Sequence, residues 1–227
     1  MDVLVTGADG ELGRQVAHDF RTAGHRVVLS GSRRTDLEVL AKELGDTTAD
    51  AADSADVIVC DGTDAAELAA ARARFPQHLD ALVVIPPAGP AAGPGLAGVA
   101  SEWRGAFDRT LLAAVLIVHA VGENLRSGGS IVVCAEGGGQ DGPQAAVKAA
   151  LAAWTAGQAG HFGSRGVTIN AISCGRSAEP GYPGLSAAPP PPAVELSRLA
   201  LLLTTPAARR ITGQLLHAGR GAAPALS

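Results

Sequence analysis

The chain has 227 residues, of which 47% are hydrophobic and 18% charged, and its formal net charge is −4. This composition excludes an intrinsically disordered chain, and an α/β domain of this length buries a sizeable core. The acidic balance gives no electrostatic case for binding nucleic acid or an anionic membrane surface. We therefore expect a globular protein that binds neither nucleic acid nor a membrane.

The N-terminus and the cysteines favour a reduced, cytoplasmic protein. A strand is predicted to begin at Val3, and the basic and apolar segments of a secretory signal do not precede it. The longest apolar run, 111–118, is too short to cross a bilayer. Cys60, Cys134 and Cys174 show neither C-x-x-C spacing nor a histidine at metal-ligand spacing. We expect no metal site.

Short apolar runs alternate with helical patterns along the chain. Continuous apolar runs of this kind are typical of strands that are buried on both faces of a parallel sheet. The predicted strands are Val3–Thr6, Val27–Ser30, Val57–Cys60, Ala81–Ile85, Ser130–Cys134, Val167–Ile172 and Gln214–His217. The predicted helices are Gly13–Thr22, Asp36–Glu43, Ala65–Phe75, Ser101–Leu125, Pro143–Phe162 and Ala193–Leu203.

This alternation predicts an α/β fold with a doubly wound parallel sheet of about seven strands, of the Rossmann type. Ser101 is predicted to cap the fourth helix, and Pro143 to lie near the first turn of the fifth. No repeat or linker divides the chain, so 1–227 is predicted to be a single domain. The glycines and prolines of 175–192 predict a long loop.

A glycine-rich turn joins the first strand to the first helix. At the spacing of Gly7, Gly10 and Gly13, the first glycine permits a tight turn, the second lets the backbone approach a pyrophosphate, and the third allows close packing of helix on strand. The turn therefore predicts dinucleotide binding, and the alternative is a merely structural turn. Asp9 and Glu11 are unfavourable near phosphates unless they point to solvent, and Arg14 partly compensates for them.

The residues after the second strand bear on which dinucleotide is bound. An acidic residue there would bind the ribose hydroxyls of NAD, but this chain has Ser32 and Arg33. A hydroxyl and a guanidinium suit the ribose 2′-phosphate of NADP, because arginine offers bidentate, charge-assisted contacts. NADP is therefore the predicted cofactor. NAD is the alternative cofactor. If neither phosphate nor ribose is bound here, Ser32 and Arg33 are simply part of a solvated basic loop.

Further segments, in order along nearly the whole chain, resemble the short-chain dehydrogenase/reductase family. They are the turn 6–13, Asp61 after the third strand, Pro86–Gly89 after the fourth, 103–111, 129–133, 148–151, 166–172 and 211–217. The resemblance implies hydride transfer between a nicotinamide cofactor and a carbonyl or alcohol. It also implies cofactor contacts from Thr6, Gly7, Gly10, Leu12, Gly13, Asp61, Gly89 and Lys148.

The chain departs from the family at the catalytic positions. Thr110 stands in place of an asparagine on the long fourth helix, and Gln144 stands in place of the proton-transferring tyrosine. Glu136, or Ala135 in another alignment, replaces the serine after the fifth strand. Of the four catalytic residues only Lys148 remains, where the family also uses it to bind the nicotinamide ribose. The alternative is that Lys148 has only a structural role and binds no cofactor.

The change to Gln144 bears directly on the chemistry. Carbonyl reduction needs a proton for the developing alkoxide, and a tyrosine beside a lysine ammonium has its pKa lowered enough to supply one. Glutamine donates a hydrogen bond but has no titratable proton near neutral pH. Losing general acid catalysis costs about 100- to 10,000-fold in rate. The remaining proton sources are Glu136, Tyr182 in the long loop, water and the substrate itself.

Two functions of different classes remain open. The chain is either an NAD(P)-dependent oxidoreductase with a rebuilt active site or a catalytically silent dinucleotide binder that acts as a sensor or partner subunit; a lyase or cyclase is a third, weaker possibility. In the family the loop at 175–192 covers the substrate, and its Ala, Gly and Pro content suggests a small apolar molecule. Helices 101–125 and 143–162 carry wide apolar faces, which in the family pair subunits, so a homodimer or homotetramer is expected.

Overall fold

The computed structural model describes residues 1–45, 55–87, 89, 93–135, 142–174 and 192–218. Within these residues the strands are β1 (Asp2–Val5), β2 (Arg26–Gly31), β3 (Asp56–Val59), β4 (Leu79–Val84), β5 (Leu125–Ala135), β6 (Thr168–Cys174) and β7 (Leu215–Ala218). The α-helices are α1 (Glu11–Thr22), α2 (Arg34–Gly45), α3 (Ala65–Ala71), α4 (Gly95–Ala106), α5 (Ala113–Val121), α6 (Gly142–Gly163) and α7 (Pro192–Leu203).

The strands form one parallel sheet in the order β3-β2-β1-β4-β5-β6-β7. The chain winds outwards from β1 to β3 and then returns to pair β4 with the other side of β1. This change of direction leaves a crevice at the carboxyl ends of β1 and β4, where doubly wound sheets bind their ligands. The predicted α/β fold of Rossmann type is therefore confirmed.

Helices cover both faces of the sheet, so the central strands have no polar face. Val3 and Val5 of β1 belong to one apolar cluster with α1, α2 and α7. Leu4 belongs to the other cluster, with α3, α5 and α6. All three side chains are fully buried, which explains why their strand reads as a continuous apolar run.

The fourth predicted helix begins earlier than expected. It starts at Gly95 instead of after Ser101, and Pro94 in an extended conformation is its N-cap. The predicted cap at Ser101 is therefore wrong. The large apolar side chains of the added segment, Leu96 and Val99, are exposed. They therefore do not continue the periodic pattern of buried apolar residues by which the start of the helix could be recognised from sequence.

A π-helical turn, Phe107–Leu112, joins α4 to α5. The helical stretch Gly95–Asn124 is long and apolar enough to cross a membrane by length and composition alone. Its α5 part packs in the core through Ala114, Ile117 and Val121. We therefore interpret it as a core helix of a globular domain.

The other predicted elements agree with the structure apart from their ends. The helix predicted to reach Phe75 ends at Ala71 and continues as a short 3-10 turn. β5 begins five residues before the predicted start, at Leu125, which pairs with Leu79 before an irregularity in the ladder. Pro143 is the second residue of α6, as expected. The predicted loop 175–192 lies outside the described residues except for the backbone of residue 192.

Candidate functional site

The glycine-rich turn has a shape that requires two of its three glycines. Gly7 has a φ of +65°, and a Cβ there would overlap the carbonyl group of Ile85 after β4. A Cβ on Gly13 would lie 2.6 Å from the Cα of Ala8. At Gly10 the nearest atom to such a Cβ is 3.5 Å away, so the space beside it is open. Gly7 and Gly13 thus hold the turn together, and Gly10 leaves room on its outer side.

The start of α1 is suited to bind an anion. Gly10 is its N-cap, in an extended conformation, and in the described structure no side chain caps the first turn. The first N–H groups of a helix lack partners within the helix and carry the positive end of its dipole. A phosphate is the natural partner for such groups. The side chain of Leu12 is buried in the core, so a contact from this residue would have to come from its backbone.

A pocket opens at the carboxyl ends of β1 to β4. Four residues predicted to bind the cofactor line it, namely Thr6, Gly7, Ser32 and Asp61. Its other walls include the apolar side chains of Leu68, Phe75, Ile85, Pro87 and Ile117. An apolar pocket beside an uncapped helix start fits the adenosine and pyrophosphate parts of a dinucleotide.

Asp61 and Cys60 form the β3 side of this pocket. Oδ1 of Asp61 accepts hydrogen bonds of 2.8 Å from both the backbone N–H and the hydroxyl of Thr63. The carboxylate is thereby held at the pocket wall. Burial, with the help of the nearby Glu67 carboxylate, raises the pKa of the Cys60 thiol to about 11. Cys60 is therefore a neutral lining residue near neutral pH.

The predicted 2′-phosphate ligands, Ser32 and Arg33, are in contact with an acidic residue. Oδ2 of Asp9 accepts hydrogen bonds from Ser32 N at 3.1 Å, Ser32 Oγ at 3.1 Å and Arg33 N at 3.0 Å. Arg33 Nε also lies 2.8 Å from Oδ2 of Asp36. The sequence offered one sign of this arrangement, namely Gly31 at the end of β2, where a side chain would collide with Asp9.

Arg14 does not compensate for the acidic residues of the turn in the way the sequence suggested. Its guanidinium pairs with Glu43 at 3.1 Å and donates to the backbone carbonyl of Asp36 at 3.3 Å. It therefore ties α1 to α2. Glu11 is exposed, as expected, but Asp9 points inwards and only 10% of its side chain is exposed.

The predicted catalytic positions lie in the π-helical turn, on α6 and at the end of β5. Thr110 is half-buried in the π-helical turn, against which α6 packs. Gln144 and Lys148 are half-buried and four residues apart on α6, so they share one face of that helix. Ala135 is the buried last residue of β5. Glu136 and Tyr182 lie outside the described residues.

Lys148 is the predicted catalytic residue that matches the family's pattern, and its surroundings alter its acidity. Desolvation by burial lowers the pKa of its ammonium group. Cys174 at the end of β6 opposes that shift, because a thiolate there would favour the charged lysine. This places the tip of Lys148 towards the carboxyl end of β6, at the same edge of the sheet as the dinucleotide pocket. Among the described residues no group of three or more His, Cys, Asp or Glu side chains is arranged to hold a metal ion.

Arg109 is a residue of this region that sequence reasoning missed. A Cβ on Gly89 would overlap its guanidinium, and one on Gly105 would lie 2.5 Å from its Nη1. The guanidinium therefore covers Gly89, which is predicted to contact the cofactor. Only the two glycines, far apart in sequence, signal this contact.

Known proteins resemble this chain over nearly its whole length. A family model described as short chain dehydrogenase matches residues 2–179. A protein of Mycobacterium tuberculosis (strain CDC 1551 / Oshkosh), named "Putative oxidoreductase MT1904", is 53% identical over 227 residues, which cover 98% of each chain.

Two solved structures share the fold. Hydroxysteroid dehydrogenase from Escherichia coli has a TM-score of 0.79 and 22% identity, over 97% of this chain and 95% of that one. A short chain dehydrogenase from Burkholderia cenocepacia J2315, in complex with NADP, has a TM-score of 0.75 and 24% identity over 96% of both chains. From its fold, its family model and its relative in M. tuberculosis, the chain belongs to the short-chain dehydrogenase/reductase family of oxidoreductases.

Proposed function

We propose that this protein is an NAD(P)-dependent oxidoreductase that interconverts a carbonyl and an alcohol with a proton source other than the usual tyrosine. The observation that carries the proposal is the glycine-rich turn beside the pocket at the ends of β1 to β4. Gly7 and Gly13 are required by the shape of the turn, Gly10 leaves open space, and the start of α1 lacks a side-chain cap. A bound nicotinamide cofactor would supply or accept the hydride.

The residues of the chain would then bind and orient the reactants. Lys148 has the position and the donors to hold ribose hydroxyls of the cofactor. Gln144, one helical turn earlier, can donate a hydrogen bond to a carbonyl oxygen but cannot transfer a proton to it near neutral pH. Thr110 offers a hydroxyl from the π-helical turn. The proton would therefore have to come from Glu136, Tyr182, water or the substrate.

The preference between NADP and NAD depends on the residues after β2. Ser32 and Arg33 support NADP, which is also the cofactor bound by the B. cenocepacia protein. Asp9 counts against NADP, because its carboxylate already accepts hydrogen bonds from Ser32 and from the backbone N–H of Arg33 and pairs with the Arg33 guanidinium.

The proposal is tested by restoring the missing acid. In Gln144→Tyr a phenol stands four residues before Lys148, where a lysine ammonium lowers its pKa. We expect carbonyl reduction of a generic diketone or quinone to rise by about 100- to 10,000-fold. Gln144→Phe is the matched control, because it adds the same ring without the hydroxyl. The rate is measured by nicotinamide absorbance under saturating cofactor.

A catalytically silent dinucleotide binder is the second candidate, and Gln144 itself favours it. The two candidates differ in what they predict for the native chain. We expect an oxidoreductase to reduce such carbonyls slowly, and to lose this activity in Glu136→Gln if Glu136 is the acid. If the native protein and Gln144→Tyr both bind a dinucleotide but show no turnover, the oxidoreductase proposal is wrong and the silent binder is supported.

We also propose that the protein acts in the cytoplasm on a small apolar substrate and assembles as a homodimer or homotetramer, without nucleic-acid or membrane partners. Assembly is supported by a surface groove between α5 and α6, lined by Val115, Val118, Trp154 and Phe162, by His119 and His161, and by the polar residues Arg72, Glu123 and Gln158. These helices are the ones whose apolar faces predicted pairing. A monomer in sedimentation at micromolar concentration would refute the assembly.

A further inference from the structure

Asp9 lies where the cofactor's adenosine ribose is expected, and it is bound there by several donors. Three hydrogen bonds of 3.0 to 3.1 Å, from Ser32 and from the N–H of Arg33, converge on its Oδ2. Arg33 Nε adds an ion pair at 3.4 Å. Its guanidinium also donates to the backbone carbonyl of Asp9. The Asp9 carboxylate thus occupies the hydroxyl of Ser32 and part of the Arg33 guanidinium, the two groups from which the sequence predicted a phosphate site.

The backbone of β2 leaves space for this carboxylate. A Cβ on Gly31 would lie 2.5 Å from Oδ1 of Asp9 and 2.7 Å from its Cγ. The glycine does not have a positive φ, so it is required by the available space and not by its conformation. Gly31 and Asp9 therefore form a matched pair, in which the small residue allows the acidic one to reach the pocket wall.

The positive charge of Arg33 is balanced on two sides. Its guanidinium contacts Asp9 and, at 2.8 Å, Oδ2 of Asp36. A 2′-phosphate would have to displace Asp9, breaking its hydrogen bonds and ion pair, or lie beside it and be repelled as a like charge. Ribose hydroxyls are donors, and a carboxylate accepts hydrogen bonds from them without this conflict.

We propose that Asp9 determines cofactor choice: it replaces the acidic residue missing from the end of β2 and makes the pocket prefer NAD(H) to NADP(H). The inference rests on the proposed function, because it requires a dinucleotide in this pocket. It opposes the preference predicted from Ser32 and Arg33 alone. In Asp9→Ser the donors of Ser32 and Arg33 become available, and a 2′-phosphate gains a charge-assisted site.

The test is equilibrium binding, with no turnover required. Dissociation constants for NADH and NADPH are measured by calorimetry for the native chain, Asp9→Ser and Asp9→Asn. Adenosine 5′-monophosphate and adenosine 2′,5′-bisphosphate isolate the adenosine end. Glu11→Gln is the matched control, because it removes an equal charge from the same turn but at an exposed side chain.

We expect the native chain to bind NADH more tightly than NADPH. The ratio of the two affinities should shift towards NADPH by about tenfold or more in both Asp9 variants and remain unchanged in Glu11→Gln. A native preference for NADPH, or an equal shift in Glu11→Gln, would overturn the inference while leaving dinucleotide binding intact. If no chain binds either dinucleotide, although each unfolds cooperatively, the proposed function and this inference both fail.

Discussion

The cofactor pocket and the catalytic position share one edge of the sheet but depend on different kinds of residue. The pocket at the ends of β1 to β4 is shaped by backbone and by glycines such as Gly7 and Gly13, which no other residue can replace without a collision. The catalytic position at the ends of β5 and β6 depends on single side chains. There the π-helical turn and α6 carry Thr110 and Gln144, which the resemblance predicts to stand in place of the family's asparagine and tyrosine.

This difference suggests how a fold can keep a backbone framework while single side chains on it change. A half-buried side chain such as Gln144 can differ without moving α6. A change at Gly7 cannot be accommodated in the same way, since the turn, β4 and the start of α1 meet there. Binding therefore depends on the backbone of the turn, and the proton source depends on individual side chains.

The largest effect is expected from Gly7→Ala. The new methyl group would overlap the Ile85 carbonyl and occupy a backbone conformation that non-glycine residues rarely adopt. We expect a loss of about 3 kcal/mol in the free energy of unfolding, measured by urea denaturation. Gly24→Ala is the control, because Gly24 has a φ of +81° but nothing within 4 Å. A similar loss in both variants would mean that crowding at the turn is unimportant.

A smaller and more selective effect is expected from Gly10→Ala. Its methyl group meets no atom of the chain closer than 3.5 Å, so thermal stability should remain close to that of the native protein. It would, however, occupy the open side of the turn, where a pyrophosphate is expected. We expect dinucleotide affinity to fall about tenfold, measured by calorimetry. Unchanged affinity would show that the ligand does not approach this glycine.

The smallest effect concerns Lys148 at the catalytic position. Because burial lowers its pKa, the folded chain binds this proton less tightly than the unfolded chain. The charged lysine therefore destabilises the fold at neutral pH, and this cost fades as the pH rises through the lowered pKa towards 10.5. We expect Lys148→Met to melt about 2 °C above the native protein at pH 7 and to lose this advantage near pH 10.5.

Lys42→Met is the control for that melting experiment. Lys42 is exposed on α2 and is the only other lysine of the chain. Its replacement should leave the melting temperature within a degree or so of the native value at both pH values. A pH-independent difference for Lys148→Met would attribute its effect to packing and not to the buried charge.

The sequence predicted features that are formed by residues adjacent along the chain, and it missed contacts between residues that are distant in sequence. The turn at Gly7 and Gly13 was predictable because the strand, the glycines and the helix follow one another. The contact of Asp9 with Ser32 was not, because it crosses a whole helix and strand and reveals itself only through Gly31. The early start of α4 was missed because exposed Leu96 gives no periodic signal. The lowered pKa of Lys148 likewise arises from folding, which buries the lysine, and the nearby Cys174 only opposes that shift.

The expectation on which the proposed function depends is that the pocket binds a dinucleotide although Gln144 stands in place of the usual tyrosine. Its most direct test is a calorimetric titration of the native protein with NADH and with NADPH. We predict saturable binding of one molecule per chain for at least one of the two, and Gln144→Tyr should bind it with the same affinity. If the native protein is folded and takes up neither dinucleotide, the glycine turn is only structural and the expectation is contradicted.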